Sequence, residues 1–237
     1  MTAPHIAHAV WQTLRISLPT IWEGVRGTLT AEACDRRLAE WAAAIVQRAS
    51  IELRVEGREH ATPGESFVLM SNHQSLYDVP VIYRALERRI RMVAKQELFR
   101  VPIWGRAMAR AGFISLDRHS RERSRQTLTA SAGVLAQGTS IWIAPEGTRS
   151  KDGTLGEFRK GGFHLALQSG CRILPITLIG TRRVLPAKGA HVTDGCHVDV
   201  VIHPPIDPRP FGEDRKAELI AVVRGAIASA LPDAAST

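Results

Sequence analysis

The sequence has little of several things whose presence would point to a class at once. Cysteine is scarce: Cys34, Cys171 and Cys196 are odd in number, and their spacing fits neither a disulfide framework nor a zinc site, which points to a reducing compartment. Nothing approaches the roughly 20 consecutive apolar residues that a bilayer crossing needs. Residues 1–9 lack the basic start and sustained apolar core of a secretory signal, so none is expected. The glycine patterns of Rossmann and P-loop nucleotide sites are missing, as are internal repeats and low-complexity linkers. His191, Cys196, His197 and His203 lie near one another in sequence but form no tetrahedral ligand pattern, so no metal is expected.

What is present suits one well-buried domain. The chain has 237 residues, 44% of them hydrophobic, and a net charge of +8. That charge is concentrated, because residues 84–126 hold 12 basic and 4 acidic side chains, an excess equal to that of the whole chain. Such a field invites an anionic partner: membrane phospholipid, a lipid phosphate, an acidic carrier protein or nucleic acid. Aromatics are scarce in the basic span, Phe99 and Trp104 among mostly arginines, which argues against base stacking and hence against nucleic acid.

Periodicity predicts helices alternating with strands. Leu38, Trp41, Ala42, Ile45 and Ala49 recur at helical spacing. Before them, Trp11, Leu14, Leu18, Ile21 and Trp22 mark another helix, in which Pro19 forces a break or kink. Three of the five tryptophans fall in these first fifty residues, and they suit either a headgroup boundary or packing on the domain. Strands are expected at 51–56, 67–70, 90–94, 113–116, 141–144, 173–179 (interrupted by Pro175) and 198–202. Helices follow Asp78, run from Pro102 to Arg110, end at Gln137, follow Gly162, and carry Leu219, Ile220, Val223, Ile227 and Leu231. The arginine-dense stretch 120–126 is either a loop or the start of the helix ending at Gln137. This is the pattern of an α/β layered domain with a mixed, largely parallel sheet flanked by helices, at residues 51–231. An N-terminal amphipathic helical segment, 1–50, precedes it, and a frayed tail, 232–237, follows.

One stretch carries chemistry: Ser71-Asn72-His73-Gln74-Ser75-Leu76-Tyr77-Asp78, between two apolar runs. An imidazole and a carboxylate able to hold its second nitrogen are the minimum apparatus for taking a proton from a hydroxyl. Five residues apart, His73 and Asp78 would lie about 140° from each other on a regular helix, so a strand-to-helix turn must bring them together. The alternative is a helix-capping Asp78 beside an ordinary loop histidine.

The His73-x4-Asp78 stretch with Asn72 resembles the first motif of the glycerolipid acyltransferase family, whose best-known members acylate lysophosphatidic acid (1-acylglycerol-3-phosphate). Three further stretches look like the family's later motifs, in its order. Lys95-Gln96-Glu97-Leu98-Phe99 with Pro102, Gly105, Gly112-Phe113-Ile114 and Asp117-Arg118 is similar to the second, Pro145-Glu146-Gly147-Thr148-Arg149-Ser150 to the third, and Leu174-Pro175-Ile176 to the fourth. One departure is Ala144, where the family usually has a large apolar residue, which implies a differently shaped substrate pocket.

The resemblance implies acyl transfer from acyl-CoA or acyl carrier protein to the free hydroxyl of a lysolipid, giving phosphatidic acid, with His73 as general base and Asp78 as its support. It implies no cofactor beyond the acyl donor. Lys95, Arg118, Glu146, Gly147, Thr148, Arg149 and Pro175 become expected substrate-binding or positioning residues. Glu146 would contact glycerol hydroxyls, orient Arg149, or form a structural ion pair. Asn72 would polarise the thioester carbonyl or hold the turn. The resemblance also implies peripheral attachment to the cytoplasmic face of a membrane, through the N-terminal helices. Rival readings are a different acceptor, such as lyso-ornithine lipid, a hydrolase using Ser75 or Ser71, and a non-enzymatic binding protein.

Overall fold

The computed structural model describes residues 3–117, 122, 126–127 and 131–232. Arg118, most of the stretch 120–126 and the tail from 233 lie outside them. Two long helices come first, α1 (Ala3–Arg26) and α2 (Ala31–Arg48), the second capped by Thr30, whose hydroxyl accepts from the Ala33 N–H at 3.1 Å. The strands are β1 (Glu52–Glu56), β2 (Val68–Ser71), β3 (Ile90–Lys95), β4 (Ile114–Leu116), β5 (Ser140–Ile143), β6 (Ile173–Ile179) and β7 (His197–Ile202). Between and after them come α3 (Asp78–Leu86), α4 (Trp104–Arg110), α5 (Ala132–Ala136), α6 (Gly161–Ser169), α7 (Thr181–Val184) and α8 (Lys216–Ser229).

The strands form a seven-stranded sheet in the order β1-β7-β6-β2-β5-β3-β4, in which only the β6–β7 pairing is antiparallel. β2 is central, with Leu69 opposite Trp142 on one side and Leu174 on the other. Alternation along the strands makes two apolar layers. Phe67, Leu69, Trp142, Leu174 and Ile176 face Leu38, Ala42 and Ile45 of α2 and Val81 and Ile82 of α3. Val68, Met70, Ile141 and Ile143 face Phe163 and Leu165 of α6 and Leu219, Val223 and Ile227 of α8. Because β2, β5, β3, β4 and β6 run parallel, their carboxyl ends share one edge, the usual place for a site in such a sheet.

Three prolines take forms that local sequence alone does not specify. α1 runs through Pro19 as one helix, with the neighbouring Thr20 hydroxyl bonded to the Ile16 carbonyl at 2.7 Å and packing against α2 and α4 to offset the one lost backbone bond. Pro102 does not open α4, which starts at Trp104. A γ-turn intervenes, with Ile103 at φ 64° and ψ −66° and the Trp104 N–H bonded to the Pro102 carbonyl at 2.7 Å. Nor does Pro175 interrupt β6. Ile173 pairs with Ile206 while Ile176 pairs with Ile202, so two residues of β6 oppose three of the facing chain, and the proline sits in a bulge where its carbonyl takes the His203 N–H at 3.0 Å.

The N-terminal helices divide their faces. α2 lies in the core, and Trp41 donates to the Thr13 hydroxyl at 3.3 Å, tying the two helices together. α1 turns His5, Ser17 and Thr20 inward but leaves Val10, Trp11, Leu18, Trp22 and Val25 exposed on one side, with both tryptophans 63% accessible. No helix among the described residues is long and apolar enough to cross a membrane.

Candidate active site

Between β2 and α3 the chain makes the turn that the five-residue spacing demands. Asp78, the first residue of α3, is fully buried, and its Oδ2 accepts from the Gln74 N–H at 2.8 Å, the Ser75 N–H at 2.9 Å and the His73 ring at Nδ1, 2.6 Å away. That oxygen already accepts two backbone N–H groups, so this hydrogen-bond pattern places an N–H on Nδ1 and turns Nε2 away from the carboxylate. The positive end of α3 favours the carboxylate charge. The His73 ring stands edge-on to Trp142, 5.8 Å between centroids and 85° between planes, and the Trp142 indole N–H donates to the Ser71 hydroxyl at 3.0 Å. Nε2 has no partner among the described residues, and the His73 side chain is about one-fifth exposed.

A second turn grips the backbone of His73 from both sides. After β5, the Gly147 N–H bonds the Ala144 carbonyl at 3.0 Å, with Gly147 at φ +71°, where a side chain would be strained. Glu146 Oε1 then accepts the His73 N–H at 2.8 Å, and the Ser150 N–H donates to the His73 carbonyl at 2.7 Å. The other carboxylate oxygen, Oε2, accepts the Gly156 N–H at 2.9 Å. Burial pushes the Glu146 carboxyl above the usual carboxylate range, against the two N–H groups that favour its ionised form. These bonds run to the chain around His73 rather than to Arg149.

Asn72 shows the contacts of a turn-holder. It is 2% exposed, its Nδ2 donates to the Leu178 carbonyl and its Oδ1 accepts the Leu178 N–H, both at 2.8 Å, so both ends of the amide are engaged with β6. The serines are occupied as well. The Ser75 hydroxyl is buried and donates to the Leu185 carbonyl at 2.7 Å, and that of Ser71 donates to the Asn72 carbonyl at 3.0 Å, so neither is bonded to His73 as a nucleophile would be.

The expected cations stand differently. Lys95, exposed at the end of β3, and Arg149, half-buried, have no hydrogen-bond or ion-pair partner among the described residues. Thr148 is exposed beside Arg149, and Pro175 is buried in β6. Arg118 lies outside the described residues. The sequence offered no pointer to Arg159, whose side chain lies over Gly147. A Cβ there would come within 2.7 Å of Arg159 Nε, and the Arg159 N–H donates to the Pro145 carbonyl at 2.8 Å. Glycine at 147 therefore serves twice, for the backbone angle and for a close approach. A polar cavity of about 180 Å³ at the ends of β3 and β4 is lined by Gln96, Ser115, Asp117, Gln126 and Thr127.

The site thus presents a carboxylate-supported imidazole with one free nitrogen, and unpaired cations on adjoining strand ends. Several known proteins are similar to this chain. The 1-acyl-sn-glycerol-3-phosphate acyltransferase of Borreliella burgdorferi is 30% identical over 183 residues, 77% of this chain and 73% of that protein. The chloroplastic LPAT1 enzyme of the same description from Arabidopsis thaliana is 35% identical over 156 residues, 65% of this chain and 44% of that protein. The chain spans about half the length of the plant and algal relatives it matches. The crystal structure of the 1-acyl-sn-glycerophosphate (LPA) acyltransferase PlsC from Thermotoga maritima superposes with a TM-score of 0.72 at 24% identity, covering 93% of this chain and 97% of that one, which establishes the shared fold. The family model described as Acyltransferase matches residues 52–179, from β1 through β6, and the chain belongs to that family.

Proposed function

We propose that the protein transfers a fatty acyl group from a coenzyme A or acyl carrier protein thioester to the free hydroxyl of lysophosphatidic acid, forming phosphatidic acid. The observation that carries this reading is the 2.6 Å bond from His73 Nδ1 to a buried Asp78, with Nε2 left free. Nε2 takes the hydroxyl proton as the oxygen attacks the thioester carbonyl carbon, and Asp78 supports the imidazolium that forms. The tetrahedral intermediate collapses by breaking the carbon–sulfur bond, and His73 returns the proton to the departing thiolate. No covalent enzyme intermediate is required, which fits the engagement of both nearby serine hydroxyls in backbone bonds.

Arg149, unpaired and two residues beyond Gly147, holds the acceptor phosphate through a bidentate fork, with Lys95 as a point charge on the neighbouring strand end and Arg118 as a second guanidinium. Glu146 and Asn72 serve this site by holding the turns. The Borreliella and Arabidopsis relatives are 1-acyl-sn-glycerol-3-phosphate acyltransferases, which supports the lysophosphatidic acid acceptor. The exposed Trp11 and Trp22 on α1 support peripheral attachment to the cytoplasmic face of a membrane, with the indoles at the headgroup boundary.

The test is mass spectrometry of the products formed by purified protein from acyl-CoA and acyl carrier protein donors with a panel of lysolipids. Phosphatidic acid as the favoured product is expected. Preference for a phosphate-free lyso-ornithine lipid refutes the acceptor assignment, and release of free fatty acid alone refutes transfer.

A further inference from the structure

We propose that the tip formed by residues 100–104 is a wedge that enters the surface of an anionic phospholipid bilayer and seats the catalytic edge of the sheet against it. The starting observation is a local conflict. Val101, Ile103 and Trp104 are 40%, 36% and 37% exposed, with Arg100 and Pro102 also at the surface. At the apex, Ile103 takes a positive φ of 64° that a β-branched side chain tolerates poorly. Glycine or asparagine would adopt that angle with less strain.

The conformation is nevertheless held firmly. The Val101 N–H bonds the Leu98 carbonyl at 3.2 Å, the Gly105 N–H bonds the Val101 carbonyl at 2.8 Å and the Ala107 N–H bonds the Ile103 carbonyl at 2.9 Å. Only glycine fits at 105, where a Cβ would stand 2.2 Å from the Phe99 carbonyl oxygen. An apolar residue that strains the backbone while remaining outside the core gains its value from something beyond the chain.

Three features identify that partner as a lipid surface. A short 3-10 helix, Gln96–Arg100, links the carboxyl end of β3 to the tip, so the tip lies beyond the sheet edge that also carries His73 and Arg149. Trp104 lines a cleft with Ile16, Ser17 and Thr20 of α1, so the tip sits against the helix that exposes Trp11, Leu18 and Trp22 on its other side. Along residues 95–110 the chain carries exposed Lys95, Arg100, Arg106 and Arg110 against the single acid Glu97, which complements anionic headgroups. The inference rests on the lysolipid reading above in one respect: an acceptor dissolved in a bilayer has to be met at its surface.

The experiment measures binding of the full chain to sucrose-loaded vesicles of phosphatidylcholine with and without phosphatidylglycerol, in the absence of substrate. The test variant is Val101→Ser with Ile103→Asn, and the control is Val222→Ser, an equally exposed apolar residue on α8. Loss of two partly inserted apolar side chains should weaken binding to the anionic vesicles by about tenfold or more. The control should bind as the wild type does. The melting temperature of the test variant should be equal or higher, because asparagine relieves the turn, and its activity on detergent-dispersed acceptor should be unchanged.

Unaltered vesicle affinity overturns the wedge. So does an equal loss in the Val222 variant, or a fall in melting temperature, which would give Ile103 a role in the fold. Loss of affinity for an acidic acyl carrier protein without loss of vesicle binding assigns the tip to that protein instead. Because binding is read without substrate, failure of the enzyme to acylate lysophosphatidic acid would strike the functional reading and leave this result standing.

Discussion

Replacing Glu146 by glutamine changes almost nothing in shape and much in bonding. The carboxylate accepts the N–H of His73 at 2.8 Å and that of Gly156 at 2.9 Å, whereas an amide can accept only one of them and must point an NH2 group at the other. A hydrogen bond to a charged group contributes about 1.5–3 kcal/mol, so in isolation the exchange looks costly. The carboxylate is, however, already disfavoured by its burial, which raises its pKa, and removing that charge returns part of the loss. The net stability change should therefore stay within about 1 kcal/mol.

Catalysis has no such compensation, because the bond to His73 positions the base. A misplacement worth about 1.4–2.7 kcal/mol in the transition state lowers kcat roughly ten- to hundredfold. Steady-state kinetics on a dispersed lysolipid, beside a thermal melt, separates the two effects: kcat should fall with the acceptor KM nearly constant. A raised acceptor KM with kcat within about threefold of wild type would show that Glu146 acts on the substrate and would refute the positioning argument.

Other changes bear on the same assignments. His73→Ala should abolish transfer with the circular dichroism spectrum unchanged, and Asp78→Asn should lower kcat by about a hundredfold or more; near-normal turnover in either variant defeats the general-base assignment. Ser75→Ala should remain active but melt at a lower temperature, since it leaves the buried Leu185 carbonyl without its donor; an inactive, folded variant would revive a covalent route. Arg149→Ala should lose roughly ten- to over a hundredfold in kcat/KM for a phosphate-bearing acceptor, with Arg149→Lys intermediate, and an equal loss on a phosphate-free acceptor refutes phosphate recognition. His203, whose Nε2 meets the Thr177 hydroxyl at 2.8 Å, is held below its ordinary pKa by burial and by His60. The unfolded chain then binds more protons once pH drops below about 6.5, so stability present above that value is lost as pH falls through the lowered native pKa. Urea midpoints between pH 7.5 and 5.5 should show a pH slope that His203→Gln reduces, and an unchanged slope clears His203 of the effect.

The sequence made the alternation of strands and helices legible, because both periods are strong in buried elements such as 67–70 and 141–144. It also showed that His73 and Asp78 had to meet on a turn, since a five-residue spacing permits little else. It was less informative at the prolines. Pro19, Pro102 and Pro175 read locally as a helix break or kink, a helix start and a strand interruption; the structure carries α1 through Pro19 unbroken, puts a γ-turn after Pro102 and sets Pro175 in a bulge. Turn-holding was one of two roles expected of Asn72, but the partners of Asn72 and Glu146 were illegible for a different reason. Their partners are backbone groups of Leu178, His73 and Gly156, brought together by sheet order, and backbone groups leave no residue-type signature. Arg159 went unseen because its contact is with a missing Cβ.

The two-sided hold on His73 has a consequence for how the protein turns over. With its N–H donated to Glu146 and its carbonyl accepting from Ser150, the main chain that carries the base can shift only by breaking both bonds together, and the imidazole itself is tied to Asp78. At about 0.5–1.5 kcal/mol for the neutral bond and about 1.5–3 kcal/mol for the charged one, the turn is open in at most a few per cent of molecules at any moment. Substrates therefore come and go across a catalytic face that stays assembled between rounds. The pace of exchange is set by how lipid and thioester slide over that face, and a faster enzyme is to be sought by changing the surface they slide on.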